Sequence, residues 1–167
     1  MTDLPSGTWN LDPAHSAATL DVRYLTGHFR RGFNSISAQL VDGTLSGSAD
    51  ADSLDLRVDM FREHVLNGAA FFDVGNHPTL TFSSTSLTVN GNDAALEGEL
   101  TIKGITKPIS ATGTFAGPIQ DQQGNTRIGL SFTTTIDRTD FDVGTEFPVQ
   151  AMAHEVELDI DLYLVGA

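Results

Sequence analysis

Six stretches of this chain alternate apolar and polar residues with a period of two, and that pattern constrains the fold more than any other feature. Leu20, Val22 and Tyr24 alternate with Asp21 and Arg23. Ile36, Ala38 and Leu40 alternate with Ser35, Ser37 and Gln39, and Leu54, Leu56, Val58 and Met60 with Asp55, Arg57 and Asp59. The same rhythm runs through 96–103, 128–136 and 156–164. Side chains of a strand point alternately to its two faces, so each stretch reads as a strand with one wet and one dry face. Segments 79–89 and 108–116 alternate more weakly, and Trp9 with Leu11 reads as a short opening strand. The dipeptides Asp42-Gly43 and Asn90-Gly91 suit hairpin turns. Loops are expected at 103–108 and between Gly117-Pro118 and Gly124-Asn125. Short connections favour antiparallel neighbours. About eight antiparallel strands in one domain, closed as a barrel or stacked as a sandwich, satisfy this pattern.

One segment departs from it. Between Phe61 and Phe72 the apolar residues 61, 65, 66, 69 and 72 follow helical spacing, and Gly68 is a natural stop. The pattern predicts a short helical insert near 61–73, placed like a lid at one end of the strands. The turn Asp73-Val74-Gly75-Asn76-His77-Pro78 follows, in which a hydrogen-bonded brace between Asp73 and His77 is the simpler reading of that pair.

Composition removes several function classes. Nine Lys and Arg face 22 Asp and Glu, a net charge of −13. Such a surface repels phosphate backbones, so no nucleic-acid partner is expected. There is no cysteine, which excludes disulfides, thiol chemistry and cysteine metal sites. No apolar run approaches the ~20 residues of a membrane helix, so no integral membrane segment is expected. The start of the chain lacks the basic and apolar parts of a signal peptide, so the expectation is a cytoplasmic protein.

The five histidines, at 15, 28, 64, 77 and 154, form no HxH or HExxH pattern, and no metal or cofactor is expected. Glycines stand singly, without a phosphate-cradling loop. The carboxylates Glu155, Glu157, Asp159 and Asp161 line the outward face of the last strand and read as a solvated surface. No nucleophile stands in an evident relay, so no catalytic residue is assigned. An enzyme with His15, His64 or His77 as general base at a cavity mouth remains an alternative. So do a haem binder and a packed barrel that serves as an interaction module.

The inward parity is the informative face. Ala18, Ala38, Gly98, Ala111, Gly113 and Thr134 are small, among Leu, Ile, Val, Met and Phe neighbours. They either fit the taper of a packed barrel or leave a cavity. The residues that would line a cavity are Leu20, Val22, Tyr24, Ile36, Leu40, Leu56, Val58, Met60, Phe82, Leu100, Ile102, Phe132, Ile136, Leu158, Ile160 and Leu162. Phe61, Phe71, Phe72 and Phe141 would stand at its mouth.

Several motifs, in order along nearly the whole chain, resemble those of the YceI-like family. They are Trp9-Asn10-Leu11-Asp12-Pro13-Ala14-His15-Ser16, then Val22-Arg23-Tyr24 with Arg31-Gly32-Phe33, then Phe71-Phe72-Asp73-Val74 running to Phe82. Leu100-Thr101-Ile102-Lys103-Gly104-Ile105-Thr106-Lys107-Pro108 is the most specific, and Asp137-Arg138-Thr139-Asp140-Phe141 closes the series. The resemblance implies an eight-stranded antiparallel lipocalin-like barrel. It implies a long tunnel that binds an isoprenoid-like or other long-chain lipid, without catalytic residues. It leaves a homodimer open. A chain of about 20 carbons at ~0.3 kcal/mol per atom would gain ~6 kcal/mol, or binding in the range of tens of micromolar.

Overall fold

The computed structural model describes residues 4–68 and 71–167, with the side chains of Met60 and Phe61 outside the description. The two expectations placed on those side chains therefore lie outside the described residues. The strands are β1 (Thr8–Leu11), β2 (Ala17–Tyr24), β3 (Gly27–Gly32), β4 (Ile36–Val41), β5 (Thr44–Asp50), β6 (Thr79–Asn90), β7 (Asp93–Ile102), β8 (Ile105–Gln120), β9 (Thr126–Asp137) and β10 (Met152–Gly166). A single α-helix, α1 (Asp59–Asn67), and 3₁₀ turns at Ala51–Ser53 and Arg138–Phe141 complete the described elements.

All the strand pairings are antiparallel, and they run β4-β5-β6-β7-β8-β9-β10 before returning to the start. β1 closes the circle by pairing with β10 on one side and β4 on the other. β2 continues along the same edge of β10 and carries β3 on its far side. Thus β1 and β2 are two lengths of one interrupted stave, β3 and β4 of another, and the barrel has eight staves. Closure satisfies the backbone groups that an open sheet would leave on its edges.

Sequence chemistry accounts for the turns. Asp42 and Gly43 have φ of 47° and 86°, and Lys103 and Gly104 of 54° and 74°. Positive φ at both central residues twists a two-residue turn in the sense that antiparallel strands need. The expected loop at 103–108 is therefore only this tight turn. Pro108 sits inside β8 opposite Glu99, and β8 continues through Gly117-Pro118 to Gln120, past a register shift after Ala116.

The alternation at 54–60 is not a strand. Leu54 makes one bridge to Phe33, Arg57 turns the chain with a φ of 57°, and α1 begins at Asp59. Leu54 and Leu56 are buried, but the turn leaves Val58 61% exposed. The helical insert is confirmed, shifted slightly toward the N-terminus. It ends at Gly68, whose amide donates to the His64 carbonyl at 3.1 Å. The reason for glycine there is space, since its φ is −68° and a Cβ would meet that carbonyl oxygen at 2.6 Å.

The interior divides into two apolar clusters. One end is packed solid around Trp9, Leu40, Leu130 and Leu164, the three leucines at 0% exposure. The other gathers Leu54, Leu56, Val65, Leu66, Phe71, Phe72, Phe141 and inward residues of the strands beneath the helical insert.

Candidate functional site

Between these clusters lies a cavity of about 300 Å³, at the lower end of the range of small-molecule sites. Its origin is a change in side-chain size along the staves. On β4 the inward residues pass from Leu40, which fills the closed end, to Ala38 and Ile36, which line the cavity. On β8 they pass from Phe115 to Ala111 and Ile109, and on β10 from Leu164 to Leu162, Ile160, Leu158 and Val156. Ala38 faces Gly47 across β4–β5, and Ala18 faces Ile160 across β2–β10. Space opens where a short side chain faces a short or distant one. From Val156 to Leu162 the lined part of β10 spans six residue steps, or ~20 Å along the strand. The cavity is elongated and blind. The expected tunnel is stopped at the end where Trp9, Leu40, Leu130 and Leu164 pack.

Most of the expected lining residues are on its wall. Leu20, Val22 and Tyr24 come from β2, Ile36 from β4, Phe82 from β6 and Leu100 with Ile102 from β7. Phe132 and Ile136 come from β9, Leu158, Ile160 and Leu162 from β10, and Leu56, Phe71, Phe72 and Phe141 from the connections at the open end. Two are not there. Leu40 belongs to the packed end, and Val58 points to solvent. Two of the small inward residues do not make space either. Gly98 is overlaid by Phe82, whose ring a Cβ would meet at 2.6 Å. A Cβ on Gly113 would fall 1.6 Å from the Ser131 carbonyl oxygen.

Sequence reasoning missed Phe29, Phe33, Ile109, Phe147, Met152 and Arg138 on the wall, whereas His64, one of the three histidines considered for the mouth, is on it. Phe29 and Phe33 lie on or just beyond β3, where Gly27-His28-Phe29-Arg30-Arg31 does not alternate. The signal was the two-residue spacing of positions 29, 31 and 33.

Two polar groups of the wall, Thr134 and Arg138, are tied to backbone carbonyls. Thr134 Oγ1 donates to the Ser110 carbonyl at 2.6 Å. Arg138 is 4% exposed and carries a charge with no carboxylate partner in its hydrogen-bond set. Its Nε donates to the Ala153 carbonyl at 2.8 Å and Nη1 to Val143 at 3.0 Å and to Gly144. Nη2 donates to Phe147 at 3.2 Å and Met152 at 2.8 Å. Burial pushes its pKa below the usual arginine range, against the pull of Asp137. A guanidinium has five N–H groups, and here they fold residues 143–153 into one side of the mouth. His64, on α1, stands at the rim. It meets Phe71 edge to face, with ring centroids 5.4 Å apart.

The other motif residues are structural. Asp12 lies near the closed end, with His15 Nδ1 at 2.7 Å and Arg127 Nη1 at 2.9 Å from its carboxylate. His77 is braced through its amide, which donates to the Asp73 carbonyl at 2.9 Å, while the Asp73 carboxylate accepts from Asn76. Lys103 reaches across the open end to the Asp142 carbonyl at 2.7 Å. Among the described residues no group of three His, Asp or Glu side chains is arranged to hold a metal ion.

An antiparallel barrel of eight staves around an apolar, one-ended cavity defines the class of lipocalin-like barrels. Within it, the YceI-like domain model matches residues 9–164, and the chain belongs to the YceI-like family. A UPF0312 protein of Vibrio parahaemolyticus is 30% identical over 158 residues, which cover 89% of this chain and 81% of the relative. One from Vibrio vulnificus is 31% identical over 157 residues, covering 88% and 80%. Among solved structures, Burkholderia cenocepacia BcnA superposes with a TM-score of 0.79 at 25% identity, over 94% of this chain and 99% of that one. A polyisoprenoid binding domain from Saccharophagus degradans, implicated in plant cell wall breakdown, has the same fold, with a TM-score of 0.77 at 16% identity over 95% and 98%.

Proposed function

We propose that this protein holds an isoprenoid-like lipid, of polyprenyl or quinone type, in the barrel cavity and keeps its chain out of water without transforming it. The carrying observation is the cavity itself, elongated, apolar, closed at one end and open at the other. Burying a methylene stabilises a complex by roughly 0.8 kcal/mol before the costs of ordering, so a chain threaded along such a wall is held by area alone. The blind end sets a limit on how much chain can be covered. The polyisoprenoid-binding neighbour from Saccharophagus degradans supports the choice of ligand class through a shared fold.

Holding is favoured over reacting by the state of the wall. Its arginine is saturated by carbonyls, its threonine by Ser110, and its histidine sits against Phe71 at the rim. A general base needs a partner that orients it. The test is mass spectrometry of freshly purified protein, intact under native conditions and after extraction with organic solvent. The expected result is a bound apolar mass that the extract releases. A bare chain mass, together with no uptake of a polyprenyl or quinone probe, would overturn the reading. Recovery of a chemically altered probe would turn it toward catalysis.

A further inference from the structure

Arg30 and Arg31 are consecutive on β3 and face opposite sides of the wall. Arg30 pairs with Asp21 and points outward, where Nε and Nη2 fork onto the Asp21 carboxylate at 3.1 and 2.6 Å. Arg31 pairs with Leu20, a cavity residue, and lies between Phe29 and Phe33, which also line the cavity. Cross-strand partners share a face, so the Arg31 side chain lies on the inner side of the barrel. Its guanidinium carbon sits 4.4 Å from the centre of the Phe29 ring. Nη1 donates to the Arg30 carbonyl at 2.8 Å. Nε is buried and has no acceptor, and among the described residues it is the only buried side-chain nitrogen or oxygen left so.

That orphaned N–H is out of keeping with the rest of the interior. Arg138, the other inner arginine, is bonded by Nε and both Nη atoms. A buried donor of a charged group without a partner is destabilising, and native structures retain one where something else completes it. The described wall contributes no Asp or Glu, although the chain carries 22 of them. The described wall therefore holds one cation, Arg138, and no carboxylate. Arg31 stands on the same inner side beside the wall residues Leu20 and Phe29, and the potential there favours an electron-rich group.

Resting on the lipid-carrier reading, we infer that Arg31 is the polar anchor of the site. A ligand oxygen, from a phosphate or from a quinone carbonyl, completes the Nε edge of its guanidinium while the chain fills the apolar cavity. Both sources share one chemistry, an acceptor oxygen at the end of an isoprenoid chain. A guanidinium suits it because Nε–H and a neighbouring Nη–H stand side by side in a fixed plane.

The experiment compares wild type, Arg31→Met and Arg31→Lys for binding of three probes of similar chain length: a polyprenyl phosphate, a short-chain ubiquinone and squalene, a bare hydrocarbon. Methionine keeps an unbranched stem over Phe29 and removes the donors. Arg31→Met is expected to weaken an oxygen-bearing probe by about tenfold or more and to leave squalene within about twofold. Arg31→Lys is expected to restore part of any phosphate affinity through its charge. A loss confined to the phosphate identifies an anionic end, and a loss confined to the quinone identifies a neutral one. The inference is overturned if Arg31→Met binds all three as wild type does. It is equally overturned if all three weaken together with a fall in melting temperature, which marks a purely structural arginine. If wild type takes up none of the probes, the carrier reading itself falls.

Discussion

Asp12 and Arg138 hold opposite ends of the barrel by opposite means. Arg138 gathers backbone carbonyls around a buried cation, whereas Asp12 joins a chain of charges near the closed end. Arg127 Nε donates to Asp121 Oδ2 at 2.6 Å and Nη1 to Asp12 Oδ2 at 2.9 Å. The backbone amides of Gln123 and Asn125 also donate to Asp121, which fixes the β8–β9 loop. The Arg127 hydrogen bond, aided by these amides, holds the Asp121 pKa down to about 2. Because the folded value lies below the unfolded one, the ionised carboxylate stabilises the fold fully above its unfolded pKa, and that stabilisation fades as pH falls toward about 2. Asp121→Asn is therefore expected to melt below wild type at pH 7, with the gap closing between pH 4 and 2. Melting curves across that range check it, and a gap independent of pH would show that charge is not the cause. This part of the Trp9–Ser16 motif was legible as a turn and not as an ion network, because Asp12 and Arg127 lie 115 positions apart.

At the scale of elements, the strands declared themselves where wet and dry faces alternate in sequence, as in β7 and β10. β5 did not, because Thr44-Leu45-Ser46-Gly47-Ser48-Ala49-Asp50 has little apolar area to mark a face. Its partners hold it in place, with β4 on one side and β6 on the other. The segment 54–60 failed in the opposite way. It has the period of a strand, but the positive φ at Arg57 redirects it into α1, and no local pattern announces that turn. Strand glycines show the same dependence on neighbours. Gly113 lets β8 and β9 approach until a Cβ would stand 1.6 Å from the Ser131 carbonyl oxygen, whereas Gly129 has its nearest atom, the Leu162 carbonyl oxygen, at 4.0 Å. Gly113→Ala should cost about 2–4 kcal/mol or prevent folding, since backbone must move. Gly129→Ala should lie within about 0.5–1 kcal/mol of wild type, on the stabilising side where alanine reduces the freedom of the unfolded chain. Urea unfolding of the two variants checks the contrast, and equal stabilities would contradict the close approach.

For the whole molecule, the division into a packed end and a hollow end assigns stability and binding to different residues on the same staves. Inward parity alone could not reveal that division, because Leu40 and Ala38 have the same parity and differ only in what stands opposite them. Leu40 faces Leu45 and packs with Trp9, while Ala38 faces Gly47. Substitutions at the two levels should therefore separate. Ala38→Phe places a ring in a space of about 300 Å³, so the usual overpacking cost of about 1–3 kcal/mol is largely avoided while the room for a lipid chain shrinks. Leu130→Ala, at a fully buried position of the packed end, removes contacts that the barrel needs and should cost about 2–5 kcal/mol. The expected pair of outcomes is a folded Ala38→Phe that takes up at least tenfold less polyprenyl or quinone probe, and a Leu130→Ala that melts early yet binds normally while folded. Titration below each variant's melting temperature, alongside urea unfolding, measures both. If Ala38→Phe binds as wild type does, the chain lies elsewhere on the protein. If Leu130→Ala loses binding while folded, the closed end is part of the site and the separation by level is wrong.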